Sequence, residues 1–459
     1  MPNFQNVLEV DASLEDHWNW YNSEGAFRRI MPDWEGLEPI QVGKIADGEM
    51  TIFPVQMGPI KKKWVARHEN VRPLNGFDDT SLKGPFAKWD HAREFKQENG
   101  KTVAIDSVEY KLPLHFATGW TKKFTVVPRV EAMFGFRNRR VEMDLKRIPS
   151  QKMRVLISGS TGLIGKQLCA FYACMGHEVH RLVRPSTKLP ADANKENIVK
   201  WDDQKGEILE GTLEGFDCII HLAGAGIGDK RWSKARKELI ETSRTIPTKN
   251  LANLISGLEN KPSVFIQGSA IGFYGDRKDE ILDEDSVIGE GYLPQTCKKW
   301  EDASLELESH GIRRVVIRTG IVMTCLGGAL GKQLFPAKMG ALGPVGGGKQ
   351  FQSWISLDDH IHAVQHLMLN DDCKGVYNLV SPNPTTQKKF AKVLGKIFFR
   401  PSFAPLPKFM VKILFGEMGE KLLLESQRVS PKRLLESGYE FNHPDLENAL
   451  RHMTGKVRT

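Results

Sequence analysis

The segment MRVLISGSTGLIG, residues 153–165, sets Gly159, Gly162 and Gly165 between an apolar run and a helical pattern. That G-x-x-G-x-x-G spacing constrains the chain more than any other feature. The first glycine permits a tight turn, the second lets backbone N–H groups approach a pyrophosphate, and the third lets the helix pack close on the strand. The helix N-terminus then turns its partial positive charge towards the phosphates. The spacing assigns Gly159, Ser160, Thr161, Gly162, Leu163, Ile164 and Gly165 to a phosphate cradle. Taken alone, the triplet also suits an ordinary βα turn, so its setting has to decide. Apolar β-runs at 154–158, 178–182, 218–222, 263–268 and 315–318 alternate with helical stretches. Such alternation predicts an α/β doubly wound parallel sheet with helices on both faces.

The second strand of that series reads HEVHRLVR, with Arg181 and Arg184 and no acid at its tip. An acid there would hold a ribose 2′-hydroxyl, whereas the planar fork of arginine suits a 2′-phosphate. NADP is therefore the expected cofactor. Two solvated surface arginines are the alternative.

The 459 residues leave room for a second domain before the turn. The chain breaks around LKRIPSQKM, where Pro149 and Ser150 separate a helical pattern from a strand. Residues 1–147 are expected as an α+β domain, 148–152 as the linker, and 153–399 as the nucleotide-binding domain. In the first domain, Ser13 is the expected N-cap of a helix over 13–28, and 4–10, 44–53, 60–68, 86–97 and 101–110 read as strands. Helical spacing over 126–145 closes the series. Strands wrapped on a long terminal helix predict a helix-grip shape with an apolar cavity, and hence a possible apolar ligand.

Composition excludes several functions. Hydrophobic residues make up 40% and charged residues 26%, ordinary for a soluble globular chain. No run of about 18 apolar residues is present, so no membrane span is expected, and MPNFQNVLEV lacks the basic and apolar regions of a signal peptide. Six cysteines, none in a CxxC pair, read as reduced thiols of a cytoplasmic protein. The formal charge of +8 raises nucleic acid as a partner. Its clusters, Lys61–Lys63 and Arg137, Arg139 and Arg140, are short and lack interleaved aromatics, so a solvated face is expected and no nucleic acid.

The second half resembles the atypical, extended short-chain dehydrogenases of the epimerase-family, cell-division-inhibitor-type group. The carrying stretches are ISGSTGLIG, IIHLAGAGIGDKRW, SRTIPT, GSAIGFYGD, TCKKWEDA, WISLDDH and FGEMGEKLLLESQRVSPKRLLESGYEF. The resemblance implies a Rossmann-type sheet and a C-terminal helical segment over 400–459 that completes a small substrate domain. It places His221, Leu222, Ala223 and Gly224 beside the adenosine, Ser269 where these dehydrogenases carry a catalytic serine, and Arg318 and Thr319 near the nicotinamide. The first half resembles the polyketide-cyclase/START-like (SRPBCC) ligand-binding domains through GPFAKWDHAREF and DSVEYKLP.

Short-chain dehydrogenases pair a tyrosine and a lysine at i, i+4 on one helix face, where the cation lowers the phenol pKa for acid–base work. The helix expected to carry them, 294–310, has no tyrosine. Tyr274-x-x-x-Lys278 alone has the spacing, and Gly275 and Asp276 place it in a loop. Two functions remain open. An NADP-dependent oxidoreductase or epimerase-like enzyme would use Ser269 to polarise a small molecule, Tyr274 to move the proton, and Lys298 (or Lys299) to hold the ribose. A catalytically weak NADP(H)-sensing, ligand-binding regulatory protein needs none of these.

Overall fold

The computed structural model describes residues 4–57, 60–112 and 126–457. Strands β1 (Phe4–Val10), β2 (Met50–Met57), β3 (Ile60–Arg72), β4 (Gly76–Lys83), β5 (Lys88–Glu98) and β6 (Lys101–Lys111) form one antiparallel sheet in the order β1-β6-β5-β4-β3-β2. Burial along β5 alternates, as the period of a strand requires, with Trp89, His91, Arg93 and Phe95 inward. Helices α1 (Leu14–Tyr21), α2 (Ala26–Ile30) and α3 (Val127–Leu145) accompany the sheet. Tyr21 packs on Phe77 and Phe95, and Phe134 packs on Phe4 and His91.

Three expectations for this half need correcting. Ser13 does cap α1, accepting from the Asp16 N–H at 3.0 Å, but the helix stops at Tyr21 and restarts at Ala26. The break holds Gly25, where a Cβ would fall 1.9 Å from the carbonyl oxygen of Ala170 in the other domain. The strand expected over 44–53 begins only at Met50, and β4 was missed because GFDDTSLK carries almost no apolar alternation. Arg137 and Arg140 do not lie on a solvated face; both are buried. Periodicity explains the arginines: on α3 they share the inward side with Phe134, Phe136 and Val141. The expected DSVEYKLP stretch ends at Pro113, outside the described residues.

The second sheet is built from β7 (Arg154–Ser158), β8 (Glu178–Val183), β9 (Ile198–Asp202), β10 (Glu207–Glu210), β11 (Cys218–His221), β12 (Val264–Ala270), β13 (Arg313–Thr319) and β14 (Gly375–Leu379). Their order is β10-β9-β8-β7-β11-β12-β13-β14, parallel except for the β9–β10 pair. The chain starts at β7, winds outwards through β8 to β10, and returns to β11 on the other side of β7. That reversal is the topological switch point of a doubly wound fold. Helices α4 (Leu163–Cys174), α5 (Lys234–Ser256), α6 (Tyr292–Asp302), α7 (Gly328–Lys338), α8 (Leu357–Leu369) and α9 (Gln387–Ile397) follow the strands. The helix expected over 294–310 ends at Asp302 and continues as a 3-10 turn, Leu305–His310, closed by Gly311 at φ 76°. No helix among the described residues is long and apolar enough to cross a membrane.

The C-terminal residues do not act as one unit. Helix α10 (Lys408–Gly419) meets the start of α5, where Glu417 accepts from Lys237 at 3.0 Å. Helix α11 (Lys432–Glu436) packs on β14, and α12 (Leu446–Thr454) on α9 and the N-terminal half.

A single hydrophobic core crosses the boundary between the sheets, joining Trp20, Phe77 and Val141 to Val155, Leu168, Ile361 and Leu434. A buried ion network runs through it. Arg29 binds Asp144 at 2.6 Å and Asp358 at 3.0 Å; Arg140 binds Asp33 and Asp358, each at 3.0 Å. His362 meets Asp144 at 2.9 Å, and His452 meets Asp358 at 3.3 Å. Removing one partner of a buried pair leaves the other charge uncompensated and costs about 3–5 kcal/mol. Asp358→Ala should lower the unfolding free energy by roughly that amount, and probes in both sheets should report one shared transition in urea. Separate transitions in the parent protein would show that the shared core does not couple the sheets.

Acid should act on the same interior. Burial holds His17, His91, His177, His221 and His360 down to about 4 and His452 to about 3. A histidine with a depressed folded pKa is neutral when native and takes up a proton on unfolding. Its stabilisation is complete above the unfolded value near 6.5 and is lost as pH falls towards the folded one. Stability should drop between pH 6.5 and 4, with a slope of at least one proton, about 1.4 kcal/mol per pH unit. A flat profile across that window would contradict the neutral buried histidines.

Candidate functional site

At the switch point the glycines are demanded by contact. Gly159 has φ 74°, and a Cβ there would sit 2.8 Å from the carbonyl carbon of Leu222. A Cβ on Gly165 would meet the Gly159 oxygen at 2.2 Å. Gly162 is the N-cap of α4 and, among the described residues, no side chain caps that helix start, where the first N–H groups of a helix lack intrahelical partners. Ser160 Oγ is buried without a hydrogen-bond partner. A bare helix N-terminus beside a turn that excludes side chains fits a pyrophosphate.

The two arginines of β8 part company. Arg181 is buried and donates to the Ser160 carbonyl at 3.0 Å, bracing the turn from beneath. Arg184 stands exposed just past the strand, at the tip where a 2′-phosphate would lie. His221 is fully buried, Nδ1 lies 2.7 Å from Ser158 Oγ, and burial lowers its pKa to about 4. It ties β11 to β7. The chain then passes through Leu222 and Ala223 to exposed Gly224, with Arg244 of α5 donating to the Ala225 carbonyl at 2.9 Å.

At the carboxyl ends of β12 and β13 lies a closed polar chain. Ser269 Oγ donates to Glu301 Oε1 at 2.6 Å. Arg318 grips the same carboxylate with Nε and Nη2, both at 2.9 Å, and donates from Nη1 to Tyr274 OH at 3.0 Å. Tyr274 OH donates in turn to Asn378 Oδ1 at 2.8 Å. The Arg318 guanidinium lies over the Phe273 ring, 3.4 Å from its centroid. Burial opposes the Arg318 charge, but Glu301 outweighs it and raises the pKa. Tyr274 has no exposed surface, and burial pushes its phenol up to about 12 despite Arg318.

Ser269, Tyr274 and Arg318 are thus brought together, whereas Lys298 is not. Its Nζ is held by Asp302, at 2.5 Å, on the exposed side of α6. Lys299 binds Glu241, Lys278 is a φ 54° turn residue, and Tyr292 OH donates to the Lys237 carbonyl. The residue that sequence reasoning missed is Glu301. A signal for it existed: Cys297 and Glu301 stand at i, i+4 on α6, the spacing sought there for tyrosine and lysine, and both are buried towards β12. Asn378 and His360, which meets Thr319 at 3.1 Å, carried no such signal because they arrive from distant strands and helices.

A second site lies in the N-terminal sheet, a cavity of about 1320 Å³. Aromatic rings from β2 to β5 line it, with His68, Asp79, His91, Arg93 and Arg137 at one side. Residues 191–196, from the loop between β8 and β9, complete its wall.

A doubly wound sheet with such a turn at its switch point defines the nucleotide-binding α/β class. The chain belongs to the NAD dependent epimerase/dehydratase family, which residues 155–296 match, while residues 406–453 match a domain of unknown function, DUF1731. It is 36% identical over 302 residues to the Epimerase family protein Mb2239 of Mycobacterium bovis, covering 65% of this chain and 97% of that protein. It is 33% identical over 304 residues to the human Epimerase family protein SDR39U1, covering 66% and 99%. A crystal structure of human SDR39U1 with NADPH covers 66% of this chain and 100% of its own, at TM-score 0.61 and 31% identity. The crystal structure of a nucleoside-diphosphate sugar epimerase from Corynebacterium glutamicum covers 99% of this chain and 90% of its own, at TM-score 0.79 and 30% identity. That likeness takes in both sheets.

Glu301→Leu should leave the buried Arg318 unpaired and cost about 3 kcal/mol or more in urea unfolding. Arg318→Met added to it should recover part of the loss, because the orphaned charge is then gone. An equal or larger loss in the double variant would contradict a paired role for the two residues.

Proposed function

We propose that the chain binds NADP(H) across the β7–β11 switch point and serves as a cofactor-sensing, ligand-carrying protein rather than as a conventional sugar epimerase. The observation that carries this reading is the state of the phenol. Tyr274 is enclosed, its hydroxyl is occupied by Arg318 and Asn378, and its pKa lies near 12. Efficient acid–base work at neutral pH needs a group with a pKa near the operating pH, and Lys298 is engaged elsewhere. The bare α4 N-terminus suits the pyrophosphate, the Leu222–Gly224 loop the adenosine side, and Arg184 the 2′-phosphate. NADPH bound in the human relative's structure supports the same choice of cofactor. Bound NADPH would supply a hydride, and the α4 N-terminus, Arg184 and the Leu222–Gly224 loop would hold it.

The N-terminal residues 1–147 form the ligand-carrying part in this reading. A six-stranded antiparallel sheet with α3 lining a large cavity supports a helix-grip, START-like module for an apolar ligand, followed by residues 148–152 as the joint and 153–399 as the cofactor domain. Of the C-terminal residues 400–459, α10 meets α5 through Glu417 and Lys237 and would cover the substrate side in this reading.

One contact favours an oxidoreductase or epimerase-like enzyme instead. Ser269 donates to Glu301 at the edge of the sheet where ligands of doubly wound folds bind. A hydroxyl so placed can turn its O–H from Glu301 to a substrate carbonyl oxygen and polarise it, and in this reading Tyr274 would supply the proton to the alkoxide that hydride transfer leaves.

Titration of the protein with NADPH and NADH separates the cofactor reading from the reaction. NADPH should bind more tightly, and Arg184→Ala should weaken it by about tenfold, the equivalent of about 1.4 kcal/mol. Equal affinity for the two cofactors would count against the 2′-phosphate site. Transfer of deuteride from 4-deuterated NADPH to a panel of carbonyl compounds decides the rest. Transfer that falls about a hundredfold in Ser269→Ala or Tyr274→Phe, with NADPH affinity intact, would establish the enzyme; no transfer leaves the sensing role.

A further inference from the structure

We infer that the cavity of the N-terminal sheet takes an amphipathic anion, an apolar body ending in a carboxylate, with Arg137 as its counter-ion. This rests on the reading of that sheet as a ligand carrier. Arg137 lies on α3, is only 3% exposed, and lines the cavity. Its Nε and Nη1 are buried and have no hydrogen-bond partner among the described residues. The neighbouring charges are already engaged. Arg93 binds Asp79 at 2.5 Å and Asp106 at 3.5 Å, His68 binds Asp79 at 2.5 Å, and His91 binds Asp106 at 2.7 Å. The nearest ring is no substitute for an anion: the Arg137 guanidinium sits 4.8 Å from the Phe134 centroid.

A buried ion without a partner is among the most expensive features a fold can hold. Burial and the like charge of Arg93 lower the Arg137 pKa, and the nearby Asp106 and Asp79 offset them only in part, yet a guanidinium cannot escape by shedding its proton. A proton-free solution being closed, the solution left is a negative group supplied from outside. A guanidinium offers a carboxylate two parallel hydrogen bonds, from Nη2 together with either Nε or Nη1. Beside Arg137 the walls include Phe27, Phe53, Trp64, Phe77, Trp89 and Met133. Their cavity, about 1320 Å³, exceeds the roughly 300–1,000 Å³ of ordinary small-molecule pockets, so a long or bulky hydrocarbon body fits. A neutral apolar ligand would fill the space and leave Arg137 unpaired.

The full chain should be titrated with cis-parinaric acid and, separately, with its methyl ester, reading the polyene fluorescence. The acid should bind about tenfold or more tightly than the ester. Arg137→Met should abolish that preference by weakening the acid alone, and should raise the thermal midpoint of the ligand-free protein, since an unpaired buried charge is removed. Arg137→Lys should keep part of the preference. Equal binding of acid and ester, or acid binding unchanged in Arg137→Met, would overturn the counter-ion role while leaving the cavity a ligand site. Failure of both probes to bind would overturn the ligand-carrier reading itself. Should Arg137→Met not fold, the acid-to-ester ratio in the parent protein and in Arg137→Lys decides the question.

Discussion

Everything in this molecule hangs from the N-terminal end of α8. Ser356 caps that helix by accepting from the Asp359 N–H at 2.9 Å, and the two acids of its first turn divide the work between them. Asp358 reaches Arg29 and Arg140 of the N-terminal half. Burial would raise its pKa, but the two guanidinium charges overcome this and hold it well below the usual carboxylate range. Asp359 accepts from the backbone N–H groups of Asn442 and His443 and from Tyr439, which anchors the C-terminal residues. Acids in the first turn of a helix are favoured by its dipole, so one local arrangement secures three segments far apart in the chain. Such pairs add specificity more surely than stability, since their desolvation cost rivals their attraction. Here they join two sheets that also share an apolar core.

That junction has consequences for both sites. With α2 pressed on α4, only glycine fits at position 25, and α4 is the helix whose N-terminus faces the glycine turn. The loop between β8 and β9 leaves the turn region beside Arg184 and runs on to residues 191–196 in the wall of the N-terminal cavity. Arg28 holds it there through Asp192 at 2.6 Å. The cofactor edge and the cavity therefore share one segment of chain, and neither can be rearranged without moving the other's boundary.

The polar chain at the sheet edge follows the same economy of placement. Glu301 takes a hydroxyl and a guanidinium at once, so Ser269, Arg318 and Tyr274 are fixed by a single carboxylate from α6. The arrangement is closed and charge-matched.

Some of this was legible from local rules alone. The glycine spacing, the β–α alternation and the Ser13 cap are dictated within a few residues, by backbone sterics and hydrogen bonding, and each appears where local chemistry puts it. The polar strand Gly76–Lys83, the break at Gly25 and the burial of Arg137 and Arg140 are not local facts. A strand with no apolar alternation is held by its neighbours' ladders, a glycine is required by a carbonyl 145 residues further along the chain, and an arginine is buried because acids from other elements, or an empty wall, surround it. The same holds for the site: sequence by itself determined the phosphate turn and the missing helix tyrosine, because both are short-range patterns. Only the tertiary structure decided that Arg181 braces while Arg184 is free, that Lys298 is turned away, and that Glu301 gathers the edge, because burial and pairing depend on which distant side chains share a point in space.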